Sequence, residues 1–212
     1  MIRASATIAF FVLTVASIFV AAVSSVEAQS TDVTINIRPH RDLSVRLKDE
    51  IRSGRLDIAS PFSIEVDAVL NDRGRLDGKL SKVASSTGDK AAVAAAKDAI
   101  EAFGDAGWYQ YIKQLGASSF TLRVEQDSYN FTARIIMPFE SDSRARTTAK
   151  ALNSLFQVSK VNLQTSASDE IRNETSWLLE GVSTGQNGNN VTVVIQRPAE
   201  RFRAILLRNL GI

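Results

Sequence analysis

Short runs of period-two alternation recur along the chain, and most are followed by stretches whose apolar residues return every three or four positions. The first pattern buries one face of a strand and the second buries one face of a helix. Val33 to Ile37 alternates as a short lead-in strand. A helix is expected to start near Asp42 as N-cap, with Leu43, Leu47 and Ile51 as its apolar stripe and Gly54 as its stop. From Phe62 the pattern strengthens. Ile64, Val66, Ala68 and Leu70 alternate with Glu65, Asp67 and Val69, and Asn71-Asp72-Arg73-Gly74 reads as a turn with Gly74 at positive φ. A return strand is expected over Leu76 to Val83, then a loop of small polar residues through Gly88. Asp89 caps a helix with the face Ala92, Val93, Ala96, Ile100 and Phe103. Small alanines on that face predict close docking on a sheet.

A second unit has the same design. Phe120, Leu122 and Val124 alternate, a turn falls near Gln126-Asp127-Ser128, and Phe131, Ala133, Ile135 and Met137 alternate back to Pro138. Pro138 ends the strand because it has no N–H for the ladder. Ser141 or Asp142 then caps a helix carrying Ala145, Ala149, Leu152 and Phe156. In the third unit a short helix over Asp169 to Trp177 leads into a strand over Leu178 to Ser183. Gln186-Asn187-Gly188-Asn189 makes a hairpin turn. Val191, Val193 and Ile195 alternate up to Pro198, and a last helix carries Phe202, Ile205, Leu206 and Leu210. Repeated β-hairpin–helix units of this kind specify an α+β protein, an antiparallel sheet with helices on one face.

The first 28 residues stand apart from this pattern. Arg3 precedes an apolar run from Ile8 to Val23, and Val26-Glu27-Ala28 is a small-x-small cleavage site before Gln29. That is the layout of a secretory signal peptide, and it predicts a periplasmic or secreted, bacterial location after cleavage. Counted from Ala4 the run is long enough for the alternative of an uncleaved inner-membrane anchor; membrane contact is expected only in that case. The chain thus divides into a signal peptide at 1–28, a lead-in strand and helix at 29–60, a central domain at 61–140 and a helix–hairpin–helix extension at 141–212.

Composition narrows the chemistry. The 212 residues contain no cysteine and one histidine, with a formal net charge of +2. No thiolate metal site, thiol nucleophile or disulfide is available. The near balance of charge argues against a nucleic-acid partner, which demands a strongly basic face. His40, in Arg-Pro-His-Arg-Asp, reads as a solvated loop residue rather than a catalyst. Glu65 with Asp67, and Glu125 with Asp127, read as solvent-facing strand or turn carboxylates. No phosphate loop, zinc motif or nucleophile elbow is present, so neither an enzyme nor a cofactor nor a metal is expected.

The segment from Phe62 to Phe103 resembles the C-terminal domain of TonB-family energy transducers. The likeness rests on Ile64-Glu65-Val66-Asp67-Ala68-Val69, Asn71-Asp72-Arg73-Gly74-Arg75-Leu76, Val83-Ala84-Ser85-Ser86-Thr87-Gly88 and the helix from Ala91 to Ala102, with a third strand matched by Phe120 to Val124 or by Phe131 to Met137. The resemblance implies a periplasmic, non-catalytic domain that binds a peptide segment of an envelope protein by strand addition. The family's proline-rich linker and histidine-bearing anchor helix have no counterpart here.

Two surfaces suggest how a partner is bound. Gly107-Trp108-Tyr109-Gln110-Tyr111-Ile112 is the densest aromatic cluster, and Trp108, Tyr109 and Tyr111 are the candidate partner-binding residues. Their alternative role is core at the end of the sheet. The last helix carries Arg201, Arg203 and Arg208 beside its apolar face, and is expected to dock on the sheet with those arginines solvated rather than to lie on lipid. The function this predicts is an exported, non-catalytic protein or peptide interaction module. The alternatives are a membrane-anchored transducer in outer-membrane transport, and an exported small-ligand-binding protein or enzyme with a pocket near Trp108.

Overall fold

The structure is a computed structural model that describes residue 33, residues 35–166 and residues 169–212, with side chains outside 160–171. The expected signal peptide lies outside the described residues. In chain order the elements are α1 (Arg38–Arg52), β1 (Phe62–Val69), β2 (Lys82–Gly88), α2 (Lys90–Ala106), α3 (Tyr109–Gln114), β3 (Ser119–Gln126), β4 (Asn130–Pro138), α4 (Asp142–Ser166), α5 (Asp169–Glu180), β5 (Val182–Asn187), β6 (Asn190–Pro198) and α6 (Ala199–Leu210). The six strands form one antiparallel sheet in the order β2-β1-β3-β4-β6-β5. β4 and β6 pair from Asn130↔Pro198 to Pro138↔Asn190, so the segments 61–140 and 141–212 share a single sheet.

Alternation assigns the two faces. Ile64, Val66 and Ala68 of β1 lie in register with Val124, Leu122 and Phe120 of β3; Ala133 and Ile135 of β4 and Ile195 and Val193 of β6 continue the row. These residues and the helices make up the core. The other face is polar. There Arg123 pairs with Glu65 (3.9 Å) and Glu125 (2.9 Å), and the Thr121 hydroxyl donates to Asp67 (3.1 Å). Glu65 and Asp67 are therefore surface partners of the neighbouring strand β3, and Glu125 of a residue on its own strand. α4 packs against β5 and β6, α6 against β4 and β6, and α1 rests on α2 and α6 rather than on the sheet.

Three local expectations fail, each for a physical reason. The return strand of the first hairpin is not at Leu76–Val83 but at Lys82–Gly88. Asn71 accepts the N–H groups of Arg73 and Arg75, and Asp77 those of Lys79 and Leu80, so side-chain turns hold residues 71–81 as a loop. Only Leu76 touches β-structure, in an isolated bridge to Leu70. The Ser/Thr-rich segment expected as a loop is the actual strand; all of β2 is exposed, and an edge strand wet on both faces needs no alternation. Ala84 is its extra residue, a bulge between the Ser85 and Val83 pairings.

α1 starts before Asp42, at Arg38. Pro39 suits the first turn because its missing N–H is among those a helix leaves unpaired anyway. No lead-in strand forms among the described residues 35–37; the Asn36 N–H instead donates to the Ala106 carbonyl at the end of α2 (3.0 Å). Other expectations hold. Asp89 caps α2 by accepting the Ala92 N–H (2.9 Å), Gly74 has φ +67, and Ala145, Ala149, Leu152 and Phe156 are buried.

Candidate apolar ligand site

α2 presents alanine at positions 92, 95, 96 and 99 toward the sheet. A methyl group reaches only part of the distance that a leucine would span. α1 crosses over this stripe with Leu43, Leu47 and Ile51, and α6 closes the far side with Phe202 and Leu206. Between these helices and the inward faces of β1, β3, β4 and β6 remains a cavity of about 240 Å³. The alanine-faced α2 packs against β1 and β2 as expected, and beside those contacts room is left beneath the helical layer.

The cavity floor is hydrocarbon, from Leu122 and Val124 on β3 through Ala133 and Ile135 on β4 to Val193 and Ile195 on β6. Tyr109 and Gln126 are the only lining residues with polar side chains. The Tyr109 hydroxyl donates to the Ile100 carbonyl (3.0 Å), and burial pushes its pKa up, so it stays neutral. The Gln126 amide N–H groups go to the carbonyls of Ile58 (2.8 Å) and Ser60 (3.3 Å). Water needs two to four polar partners to occupy a buried site, and an apolar cavity of about 150 Å³ stays dry yet takes up benzene. This larger cavity is suited to a hydrophobic guest.

The aromatic cluster lies beside the cavity, inside the protein. Trp108, Tyr109 and Tyr111 are 5%, 2% and 7% exposed. None of the three offers an external platform, so a partner reaching them would have to enter the interior. Tyr109 packs at a tilt against Phe120 and Phe103 and lines the cavity; Trp108 and Tyr111 do not line it. Trp108 donates its Nε1–H to His40 Nε2 (2.8 Å). His40 is therefore not a solvated loop residue but a buried one in the first turn of α1, 2% exposed. The hydrogen bond it accepts leaves its ring proton on Nδ1, which meets no acceptor. Burial lowers its pKa to about 4. A histidine held neutral by burial and bound to an indole is a packing device that ties α1 to the turn before α3.

The last helix docks on the sheet as expected, but two of its three arginines, Arg201 and Arg208, are engaged, as is Arg197 of β6. Arg197 and Arg201 place their guanidiniums over the Trp177 ring at 4.6 and 4.7 Å, and Arg208 pairs with Glu174. Among the described residues no cluster of His, Asp or Glu is arranged to hold a metal ion, and no helix is long and apolar enough to cross a membrane. No protein-family model, curated protein or solved structure matches this chain.

The signal for the cavity was present in the sequence as the Ala92, Ala96 and Ala99 spacing, which runs along one helix face. What the spacing lacks is where α1 and α6 stand over the rest of the sheet.

Proposed function

We infer that this is an exported, non-catalytic binding protein that carries a small uncharged hydrophobic molecule between its sheet and its helical layer. The observation that carries the reading is the hydrocarbon-lined cavity of about 240 Å³. Its size lies between a cavity that holds benzene and the pockets of about 300–1,000 Å³ that take drug-sized ligands. Its wall favours neutral guests, because a buried charge without a partner is costly. The leader-like segment 1–28 supports the export part of the reading, and the only ionisable group on the wall, Tyr109, is bound and neutral, which supports binding rather than chemistry. The test is titration with the neutral dye N-phenyl-1-naphthylamine. A saturable rise in fluorescence that Ala96→Leu reduces is the expected result; a linear, non-saturating signal refutes the reading.

A second reading, strand addition to an envelope protein as in TonB-type domains, is favoured by β2. It pairs on one side only, with β1, and every residue along it is exposed. Such an edge offers free N–H and C=O groups to an extended partner. Photo-crosslinking from position 85 in intact cells is expected to give a defined adduct that Ser86→Pro removes. An adduct that persists in Ser86→Pro refutes strand addition.

A further inference from the structure

We propose that α1 is the lid of the guest cavity, turning on its buried first turn to open along its seam with α6. This rests on the reading of the cavity as a ligand site. α2 stands on β1 and β2, and α6 on β4 and β6. Between them β3 lines the cavity with Leu122 and Val124, and α1 crosses above with Leu43, Leu47 and Ile51. Shifting α2 or α6 would strip apolar side chains from the strands beneath, and parting the strands would break the ladder. α1 packs on helices rather than strands, and Leu47 and Ile51 are only half-buried, so lifting its later turns forfeits less than moving any other wall.

The two ends of α1 are held differently. At its start His40 accepts the Trp108 indole N–H, its ring meets Phe103 edge-on with centroids 6.1 Å apart, and the Asn36 N–H donates to the Ala106 carbonyl. These contacts fix a pivot at the end of α2. Further along, Arg46 pairs with Asp98 of α2 at the surface (2.8 Å). On the α6 side Lys48 Nζ and Arg52 Nη2 both donate to a single acceptor, the Gly211 carbonyl, at 3.3 Å each. Both bonds are exposed, and exposed contacts of long cationic side chains hold little. Behind Arg52 the chain turns at Gly54, with φ +70 and open space around it, before buried Leu56 anchors it again. Raising the last turns of α1 widens the gap between Leu47 and Ile51 and the half-buried Leu206 of α6, all three on the cavity wall.

The chain has no cysteine, so a pair introduced by Lys48→Cys and Ile212→Cys can be joined by bismaleimidoethane without competing thiols. Stopped-flow fluorescence then follows uptake and release of N-phenyl-1-naphthylamine by the joined protein and by the same variant capped with N-ethylmaleimide. Joining α1 to the end of α6 is expected to slow both rates at least about tenfold, because each passage waits on the lid. Lys48→Ala/Arg52→Ala, which needs no cross-link, is expected to speed uptake and release alike by about two- to tenfold, leaving Kd nearly unchanged. A purely structural role for the two cations would move stability and leave these rates alone. Equal rates in the joined and capped proteins overturn the lid and leave the cavity reading standing. Unchanged rates in Lys48→Ala/Arg52→Ala overturn the latch at Gly211. Failure of the wild-type protein to take up the dye overturns the lid and the cavity reading together.

Discussion

Replacing Ala96 by Leu distinguishes an unfilled cavity from a packed interior by the sign of the stability change. Ala96 sits on the inner face of α2 and lines the cavity. Leu adds three carbons, each worth about 0.8 kcal/mol when it moves from water into an apolar site. Loss of side-chain rotamer freedom returns about 0.5–1 kcal/mol, and helix propensity changes little between the two residues. If the new side chain enters open volume, the protein gains about 1–2 kcal/mol. In a domain of this length that raises the thermal midpoint by roughly 2–8 °C. If the space beneath α2 is already filled, the same substitution overpacks the core and costs about 1–3 kcal/mol. Guanidinium denaturation followed by tryptophan fluorescence reads the difference directly. A lower midpoint in Ala96→Leu, with unchanged slope, refutes the cavity.

The remaining predictions concern the frame around the cavity. His40, with a folded pKa of about 4 against an ordinary 6.5, binds its proton more readily in the unfolded chain. Stability therefore falls as pH drops from about 6.5 to about 4, by an amount of order 1–3 kcal/mol; His40→Gln should flatten that fall, and parallel curves for the two proteins would contradict the assignment. Phe131→Ala removes a buried ring stacked on Phe202 at 3.9 Å between centroids and should cost about 3–5 kcal/mol, whereas a loss under about 1 kcal/mol would place the ring at the surface. Gly74→Val sets a branched side chain at φ +67, with its Cβ 2.7 Å from the Gln110 backbone. A loss of at least about 2 kcal/mol is expected, and an unchanged denaturation midpoint would contradict this geometry.

Elements whose two faces differ were legible from the sequence. β1, β3, β4 and β6 each bury one face and wet the other, so their alternation gave strands and inward residues together, down to Val191, Val193 and Ile195. β2 escaped because both of its faces are wet; Lys82 to Gly88 carries no pattern, and its polar residues looked like a loop. Leu76 misled for the opposite reason: an apolar residue in an alternating context was captured by the side-chain turns of Asn71 and Asp77. His40 shows a different limit. Its burial depends on Trp108, 68 positions away, and no local pattern records that pairing. The cavity lies further still from local reading, since it is bounded by α1, α2, α6 and four strands. Alanine spacing signals a thin helix face, and only the neighbours decide whether a thin face closes a gap or leaves one.

The cavity also ties occupancy to stability. An unfilled core void costs about 24 cal/mol per Å³ relative to a filled one. The cavity of about 240 Å³ is partly open to solvent, so its cost lies below the roughly 6 kcal/mol of a sealed void of that size. Evolution tolerates a cost of this size more readily where a bound molecule offsets it, so the folded chain should depend on its guest. A ligand present at a hundred times its dissociation constant stabilises by about 2.7 kcal/mol. Protein purified without organic solvent, then extracted with hexane, is therefore expected to show a thermal midpoint lowered by roughly 5–10 °C, restored on adding back the extract. Identical melting before and after extraction, in a preparation whose extract contains a stoichiometric hydrophobic molecule, would mean that the molecule binds elsewhere and that the core bears its void unaided.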